Sequence, residues 1–162
     1  MKLYRVTNEK FADSYNGMGA SYDVGARWNS AGTPVIYFAL DMATAMVEAA
    51  NYHTSPRLIP PSHCKAIYTT DENISMELFD VANLPPDWNK MPYPASTQVI
   101  GDEFINSKRA ALLYVPSAAI NVDSEYMIAI ANPLHPDIRK HNMITLIDKL
   151  KPVYSERMFQ GL

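Results

Sequence analysis

Short apolar runs separated by polar and proline-rich stretches dominate the hydrophobic pattern of the chain. Runs of this length that are rich in β-branched and aromatic residues predict strands. The runs of this kind are residues 3–6, 34–40, 64–70, 111–115 and 126–131. A last run, residues 143–150, fits either a strand or a short helix, and its pattern does not decide between them.

One segment, residues 42–52, has the pattern of an amphipathic helix. Asp41 precedes it as the expected N-cap, and its alanines, methionines and glutamate are good helix formers. The apolar stripe expected at helical spacing is Ala43, Met46, Val47 and Ala50. Glu48 falls on the other face, which it shares with Thr44, Ala45, Asn51 and Tyr52. A second short helix is predicted over residues 77–82.

Together these elements predict an α+β fold with a mixed β-sheet core and short helices. Strands outnumber helices, and they do not alternate regularly with helices as in a βαβ chain. The proline clusters in residues 56–61 and 85–94 are interpreted as ordered surface loops, because aromatic residues lie among the second cluster. We therefore expect one compact domain over residues 1–162.

Composition and charge exclude several classes of protein. Fourteen Lys and Arg against 17 Asp and Glu give a net charge of −3, which argues against a general nucleic-acid binder. The single cysteine, Cys64, excludes an internal disulfide and a multi-cysteine zinc site, and we expect it to be an inert buried thiol. No apolar run approaches the ~20 residues of a membrane helix, and no secretory signal is visible, so a soluble cytoplasmic protein is expected.

Common catalytic motifs are absent. The chain has no phosphate-binding G-x-x-x-x-G-K-[ST] loop, and no G-x-S-x-G elbow surrounds Ser117 or another serine. Gly17 and Gly19 begin a G-x-G, but Tyr22 occupies the place of the third glycine. The histidines do not have the spacing of a zinc-binding helix, so no metal site is predicted.

The most unusual segment is residues 25–39. Arg27 and Trp28 lie between two glycines and lead directly into a predicted strand that carries Tyr37. Eleven residues after Tyr37, the predicted helix carries Glu48. Together these residues form a loop–strand–helix unit. Its arginine, tyrosine and glutamate side chains can converge at one opening of this unit.

The residues alone leave ordinary interpretations open. Glu48 is also explained as a solvated residue of an alanine-rich helix, and Tyr37 as a half-buried strand residue. Arg5 is also explained as a surface residue of an edge strand, and Ser117 as a turn residue that ends a strand.

In order along the chain, the motifs resemble those of the RES-domain family, the toxins of Res–Xre toxin–antitoxin systems. The matching pieces are residues 3–5, 17–20, 26–29, 34–39, Glu48, 84–88, 98–102, 115–118 and 132–136. Ala26 and Phe104 depart from the family, where glycine and tryptophan are common. The resemblance covers roughly residues 2–155, and it is the order of the pieces that makes it specific.

The resemblance implies a fold related to ADP-ribosyltransferases and NAD⁺ as the substrate, with no metal. The residues it implies as catalytic are Arg27, Tyr37, Glu48 and Ser117, and the residues it implies as NAD⁺ contacts are Arg5, Arg27, Trp28, Asn29 and Tyr37. In these roles Glu48 stabilises the ribose cation, and Arg27 and Arg5 bind the pyrophosphate. The Tyr37 ring stacks on the nicotinamide, and Ser117 holds the amide, the ribose or Glu48.

Three functions remain open at this point. The first is a toxin that degrades NAD⁺ with water or phosphate as the acceptor, and the second is a transferase that moves ADP-ribose to a protein. The third is a non-catalytic interaction module. The resemblance further implies an antitoxin partner of the Xre type and a homodimer, whereas direct binding to nucleic acid or to a membrane is not expected.

Overall fold

A seven-stranded sheet forms the centre of the part of the chain that the structure describes. The computed structural model describes residues 1–53, 55, 58–120, 126–151 and 154. The strands are β1 (Lys2–Asn8), β2 (Ile36–Ala39), β3 (His63–Thr70), β4 (Met76–Leu78), β5 (Leu112–Pro116), β6 (Met127–Ala131) and β7 (Ile144–Leu150). Their order is β4-β5-β6-β2-β1-β3-β7, and only the β4–β5 pair is parallel.

Short helices connect these strands. They are α1 (Glu9–Ala12), α2 (Ala20–Val24), α3 (Met42–Asn51), α4 (Ala95–Ser107) and α5 (Pro136–Arg139), with a 3₁₀ turn at Val81–Asn83. The α+β class and the mixed sheet that the sequence predicts are confirmed. None of the helices among the described residues is long and apolar enough to cross a membrane.

The sheet is least continuous between β1 and β2. β1 pairs with β3 along its whole length, from Lys2 opposite Thr69 to Asn8 opposite His63. Its register with β2, in contrast, is the single pair Tyr4 opposite Ala39. Since antiparallel neighbours that stop pairing must separate, β1 and β2 diverge beyond this pair. A cleft opens at that place.

Two hydrophobic clusters cover the two faces of the sheet. Leu112 and Ala129 belong to the first cluster, whereas their chain neighbours Leu113 and Ile130 belong to the second. Since successive side chains of a strand point to opposite faces, the clusters lie on opposite sides of the sheet. Cys64 packs in the first cluster, and its predicted burial is confirmed.

The strand predictions are confirmed, and residues 143–150 form a strand, but two helix predictions are wrong or incomplete. Residues 77–82 are not a helix, because Met76–Leu78 pairs with β5 and Val81–Asn83 is a 3₁₀ turn. Strand pairing here overrides a weak local preference. α4, the longest helix among the described residues, was not predicted. Its buried side is Thr97, Gly101, Phe104 and Ile105. A threonine and a glycine in that stripe conceal the helical period and weaken the helix locally.

Candidate active site

The opening between β1 and β2 is a cleft of about 550 Å³. This lies within the range of pockets that hold a small molecule or a cofactor. Its walls come from β1, β2, α2 and α3, and they include Arg5, Tyr37 and Glu48. A smaller chamber of about 20 Å³ adjoins it and is also lined by Tyr37 and Glu48, together with Arg27. Trp28 also lines this chamber, so four of the predicted residues share it.

Helix α3 presents Glu48 to the cleft rather than to solvent. The Asp41 carboxylate accepts from the Thr44 backbone N–H at 2.8 Å and thus caps the helix, as predicted. The buried residues of the helix are Thr44 and Ala45, whereas Val47 of the predicted apolar stripe is 39% exposed. The stripe prediction is therefore wrong. The helix packs on β1 and β2 with these two small residues inward.

The Glu48 carboxylate is held by Ser117, which lies just beyond the end of β5. The Ser117 Oγ donates to Glu48 Oε1 at 2.6 Å, and the serine is completely buried. Burial raises the pKa of Glu48, while the Ser117 hydrogen bond and the charge of Arg27 partly offset this rise. Of the three partners that the sequence analysis leaves open for Ser117, the geometry shows Glu48.

A buried network fixes Tyr37 and the loop before it. The Tyr37 hydroxyl accepts from the Trp28 N–H at 3.0 Å and donates to Asn29 Oδ1 at 2.7 Å. Asn29 Nδ2 in turn donates to the Ser21 carbonyl at 2.7 Å. Burial raises the pKa of Tyr37, which keeps the hydroxyl protonated as a donor. Trp28 and Asn29 are fully buried and do not line the main cleft, although Trp28 lines the small chamber beside it.

The same loop is seated on α4. An added Cβ at Gly101 would overlap the Trp28 carbonyl oxygen, so only glycine permits this close approach. The Ser30 N–H and hydroxyl both donate to the Asp102 carboxylate one residue further along the helix. Two residues of the 98–102 motif on α4 thus fix the loop that carries Arg27.

Arg27 is 6% exposed and has its guanidinium against the segment that follows the 3₁₀ turn. Its Nη1 donates to the carbonyls of Trp88 at 2.6 Å and Lys90 at 2.9 Å. Its Nη2 lies 3.3 Å from Met91 Sδ, and its Cζ lies 5.3 Å from the centre of the Tyr93 ring. The guanidinium therefore contacts this segment. Its positive charge also lowers the pKa of Glu48.

Arg5 lies on the β1 side of the cleft, away from Arg27. Its Nη1 donates to the Phe11 carbonyl at 3.4 Å, and burial lowers its pKa. Lys10 and His63 line the same side. Burial and the neighbouring His53 lower the pKa of His63, so this histidine is neutral at pH 7. The β1 side thus carries two cations, while the α3 side carries a carboxylate. The structure does not bring Arg5 and Arg27 to one chamber.

Sequence reasoning missed two aromatic residues at the site. Tyr52 and Tyr93 line both the cleft and the chamber, and their ring centres lie 6.3 Å apart. The spacing of Tyr52 four residues after Glu48 could have indicated it, because such residues share a helix face. Tyr93 lies in a loop that is distant from Glu48 in the sequence, and no local pattern predicts that it reaches the site.

The described part of the chain offers no ready set of metal ligands. Among the described residues, no three His, Cys, Asp or Glu side chains lie close enough together to hold a metal ion. The cleft and the adjoining chamber together present one half-buried carboxylate, two arginines, a lysine, a histidine and several aromatic rings.

Comparison with known proteins now gives these features a family. The family model described as RES domain matches residues 2–150. "Toxin Res" of Photorhabdus laumondii is 30% identical over 151 residues, covering 91% of this chain and 92% of that protein. "Prs ADP-ribosylating toxin" of Sphingobium sp. is 33% identical over 129 residues, covering 79% and 78%.

The fold also has a solved relative. The crystal structure of the M. tuberculosis MbcT-MbcA toxin-antitoxin complex contains a chain that superposes with a TM-score of 0.67 at 18% identity. The match covers 94% of this chain and 84% of that one, and at this identity it shows the fold alone. With a family model that spans nearly the whole chain and curated relatives at 30% identity or more, this protein belongs to the RES domain family.

Proposed function

We propose that the protein is the toxin of a toxin–antitoxin system and that it cleaves NAD⁺ at the bond between nicotinamide and ribose. The observation that carries this proposal is the half-buried Glu48 carboxylate, held by Ser117 at 2.6 Å inside a cleft of about 550 Å³. Relatives named "Toxin Res" and "Prs ADP-ribosylating toxin" support both the toxin role and a substrate that carries ADP-ribose.

The carboxylate suits the charge that develops in this reaction. When the glycosidic bond breaks, nicotinamide leaves with the bonding electron pair, and positive charge spreads over the ribose ring. A carboxylate fixed beside the sugar stabilises that charge more in the transition state than in the ground state. With water as the acceptor, NAD⁺ and H₂O give nicotinamide, ADP-ribose and one proton. Ser117 orients the carboxylate and holds it ready for the sugar.

The two sides of the cleft match the two halves of the substrate. Arg5 and Lys10 on the β1 side suit the pyrophosphate, since a guanidinium binds such oxygens in a bidentate manner. The Tyr37 ring, fixed by its hydroxyl, suits the flat nicotinamide on the α3 side. The pyrophosphate role of Arg27 remains a prediction. Its guanidinium donates to backbone carbonyls of the protein, which favours a structural role instead.

A second candidate uses the same site with a different acceptor. The name of the Sphingobium relative favours transfer of ADP-ribose to a protein. The bond that breaks and the role of Glu48 are unchanged, but a nucleophilic side chain of the target takes the place of water. A non-catalytic interaction module stays the third possibility, and it predicts that Glu48 is dispensable.

Product identification separates these possibilities. Purified protein is incubated with NAD⁺ in buffers with and without phosphate, and the products are resolved by chromatography. Free nicotinamide with ADP-ribose or its phosphate ester supports cleavage, and label transferred from NAD⁺ to a lysate protein supports the transferase. Glu48→Gln is the test variant, and Glu103→Gln, whose side chain is 73% exposed on α4, is the matched control. No release of nicotinamide by the folded parent contradicts the proposal.

The biological setting is proposed on the same basis. An antitoxin of the Xre type is the expected partner, and the solved relative comes from a toxin–antitoxin complex. A homodimer in the cytoplasm is also expected. Expression of the parent alone should arrest growth, and Arg27→Ala should restore it. Growth that continues at full rate with the parent expressed contradicts the toxin role.

A further inference from the structure

The segment Trp88–Tyr93 forms part of the site wall, yet it belongs to no helix or strand. Its own backbone bonds are local turns: the Trp88 N–H donates to the Pro85 carbonyl, and the Lys90 N–H donates to the Asp87 carbonyl. Such turns shape the segment but do not attach it to the opposite wall of the site. Trp88 packs on the second hydrophobic cluster, and Arg27 adds polar contacts that attach the segment across the site.

Arg27 contacts the segment at four of its six residues. The two hydrogens of Nη1 serve two carbonyls, those of Trp88 and Lys90, and Nη2 meets the sulfur of Met91. The Arg27 Cζ also lies 5.3 Å from the centre of the Tyr93 ring, which is in the range of a cation–π interaction. A planar fork with several donors can make this set of contacts, and a lysine ammonium cannot.

These contacts fix the position of Tyr93. Its ring lines the cleft and the small chamber, opposite Tyr52 at 6.3 Å with an angle of 48° between the ring planes. Tyr52 lies one helical turn after Glu48. An aromatic wall therefore stands beside the carboxylate, at the place where the proposed reaction needs a flat leaving group to be oriented.

We propose that Arg27 is a positioning residue that fixes the Trp88–Tyr93 segment, and that Tyr93, fixed in this way, binds the nicotinamide end of the substrate. The inference rests on the proposed function for the identity of the ligand. The attachment itself does not depend on the reaction and can be measured without NAD⁺.

Fluorescence measures the attachment. The chain has two tryptophans, and Trp28 is completely buried, whereas Trp88 is half-buried and packs on the second hydrophobic cluster. A Trp88→Phe variant gives the signal of Trp28 alone, which is subtracted. In Arg27→Gln and Arg27→Lys we expect acrylamide quenching of Trp88 to rise by a factor of about three, because the segment opens locally. Arg109→Gln, a surface arginine paired with Glu77, is the matched control and should leave quenching unchanged.

Kinetics measures the role of Tyr93. We expect Tyr93→Leu to raise the KM for NAD⁺ about tenfold with a smaller change in kcat, because a stacking surface is lost, whereas Tyr93→Phe, which keeps the ring, should raise the KM less. Trp88 quenching in Tyr93→Leu should stay close to the parent value, since the three polar contacts of Arg27 remain.

The outcomes are distinct. Unchanged Trp88 quenching in folded Arg27 variants that have lost turnover overturns the positioning role and assigns Arg27 directly to the substrate. A parent-like KM in Tyr93→Leu overturns the binding role of Tyr93, and this arm decides the matter if the Arg27 variants do not fold. Failure of the parent to release nicotinamide overturns the proposed function and the binding role of Tyr93, while increased quenching in the Arg27 variants still supports the attachment.

Discussion

Replacing Glu48 with Gln removes one charge from the cleft while preserving the shape of the side chain. A glutamine carbonyl can still accept the Ser117 hydrogen bond that the carboxylate accepts at 2.6 Å. The loss of activity therefore reports the charge itself. Because the side chain lies on the cleft face of α3 and its pKa is raised by burial, the charge acts through protein rather than through bulk water.

This burial sets the expected magnitude. A pair of unit charges about 4 Å apart is worth about 1 kcal/mol in water but about 4 kcal/mol at an effective dielectric constant near 20. The first value corresponds to less than tenfold in rate and the second to about 10³-fold. We therefore expect Glu48→Gln to lower kcat by a factor on the order of 10² to 10³.

The assay is nicotinamide release under saturating NAD⁺, with thermal unfolding measured on the same samples. Since the pKa of Glu48 is raised in the folded protein, the folded state favours the protonated form, and ionising this group at higher pH lowers the stability. Glu48→Gln should therefore unfold at a higher temperature than the parent at pH 7, and the difference should shrink as the pH falls from the raised pKa of Glu48 to the ordinary glutamate value of 4.5. A kcat within a factor of about ten of the parent would refute the electrostatic argument.

Three further predictions concern the surroundings of the carboxylate. Ser117→Ala removes a bond that lowers the pKa of the buried carboxylate, so the acid limb of the kcat/KM profile should move to higher pH, and an unmoved limb contradicts this. Tyr37→Phe leaves the Trp28 N–H without its acceptor, so denaturant titration should show a loss of about 2 kcal/mol of unfolding free energy, and no loss would exclude the network as a support. Gly101→Ala should cost about 3 kcal/mol or more by the same titration, because the new methyl meets backbone, whereas Gly19→Ala, with open space around it, serves as the control.

The sequence was informative where the local pattern matched the buried face. The alternating apolar runs identified five strands because those strands are buried in a sheet that has a hydrophobic cluster on each face. Helix α3 was found in the right place but with the wrong side inward, because alanines occur on both of its faces and tertiary packing selected Thr44 and Ala45. α4 was missed because Gly101 is kept for its contact with Trp28, at the expense of local helix preference.

The sequence indicated several residues that meet in the structure, but it did not indicate how they are arranged. The family resemblance indicated Arg27, Tyr37 and Glu48, and the structure places all three around one chamber. Spacing along the chain did not reveal that the Arg27 guanidinium faces the Trp88–Tyr93 segment, because those contacts join residues about sixty positions apart. Loop-to-loop contacts of this kind leave no periodic signal in a sequence.

The most direct test is an experimental structure of the Glu48→Gln protein, in which turnover is slowed, with NAD⁺ bound. The account predicts that the dinucleotide occupies the cleft between β1 and β2, with its pyrophosphate at Arg5 and its nicotinamide ribose within about 4 Å of the side chain at position 48. NAD⁺ bound outside this cleft, or bound with its nicotinamide ribose at the β1 side and its adenine at position 48, would contradict it.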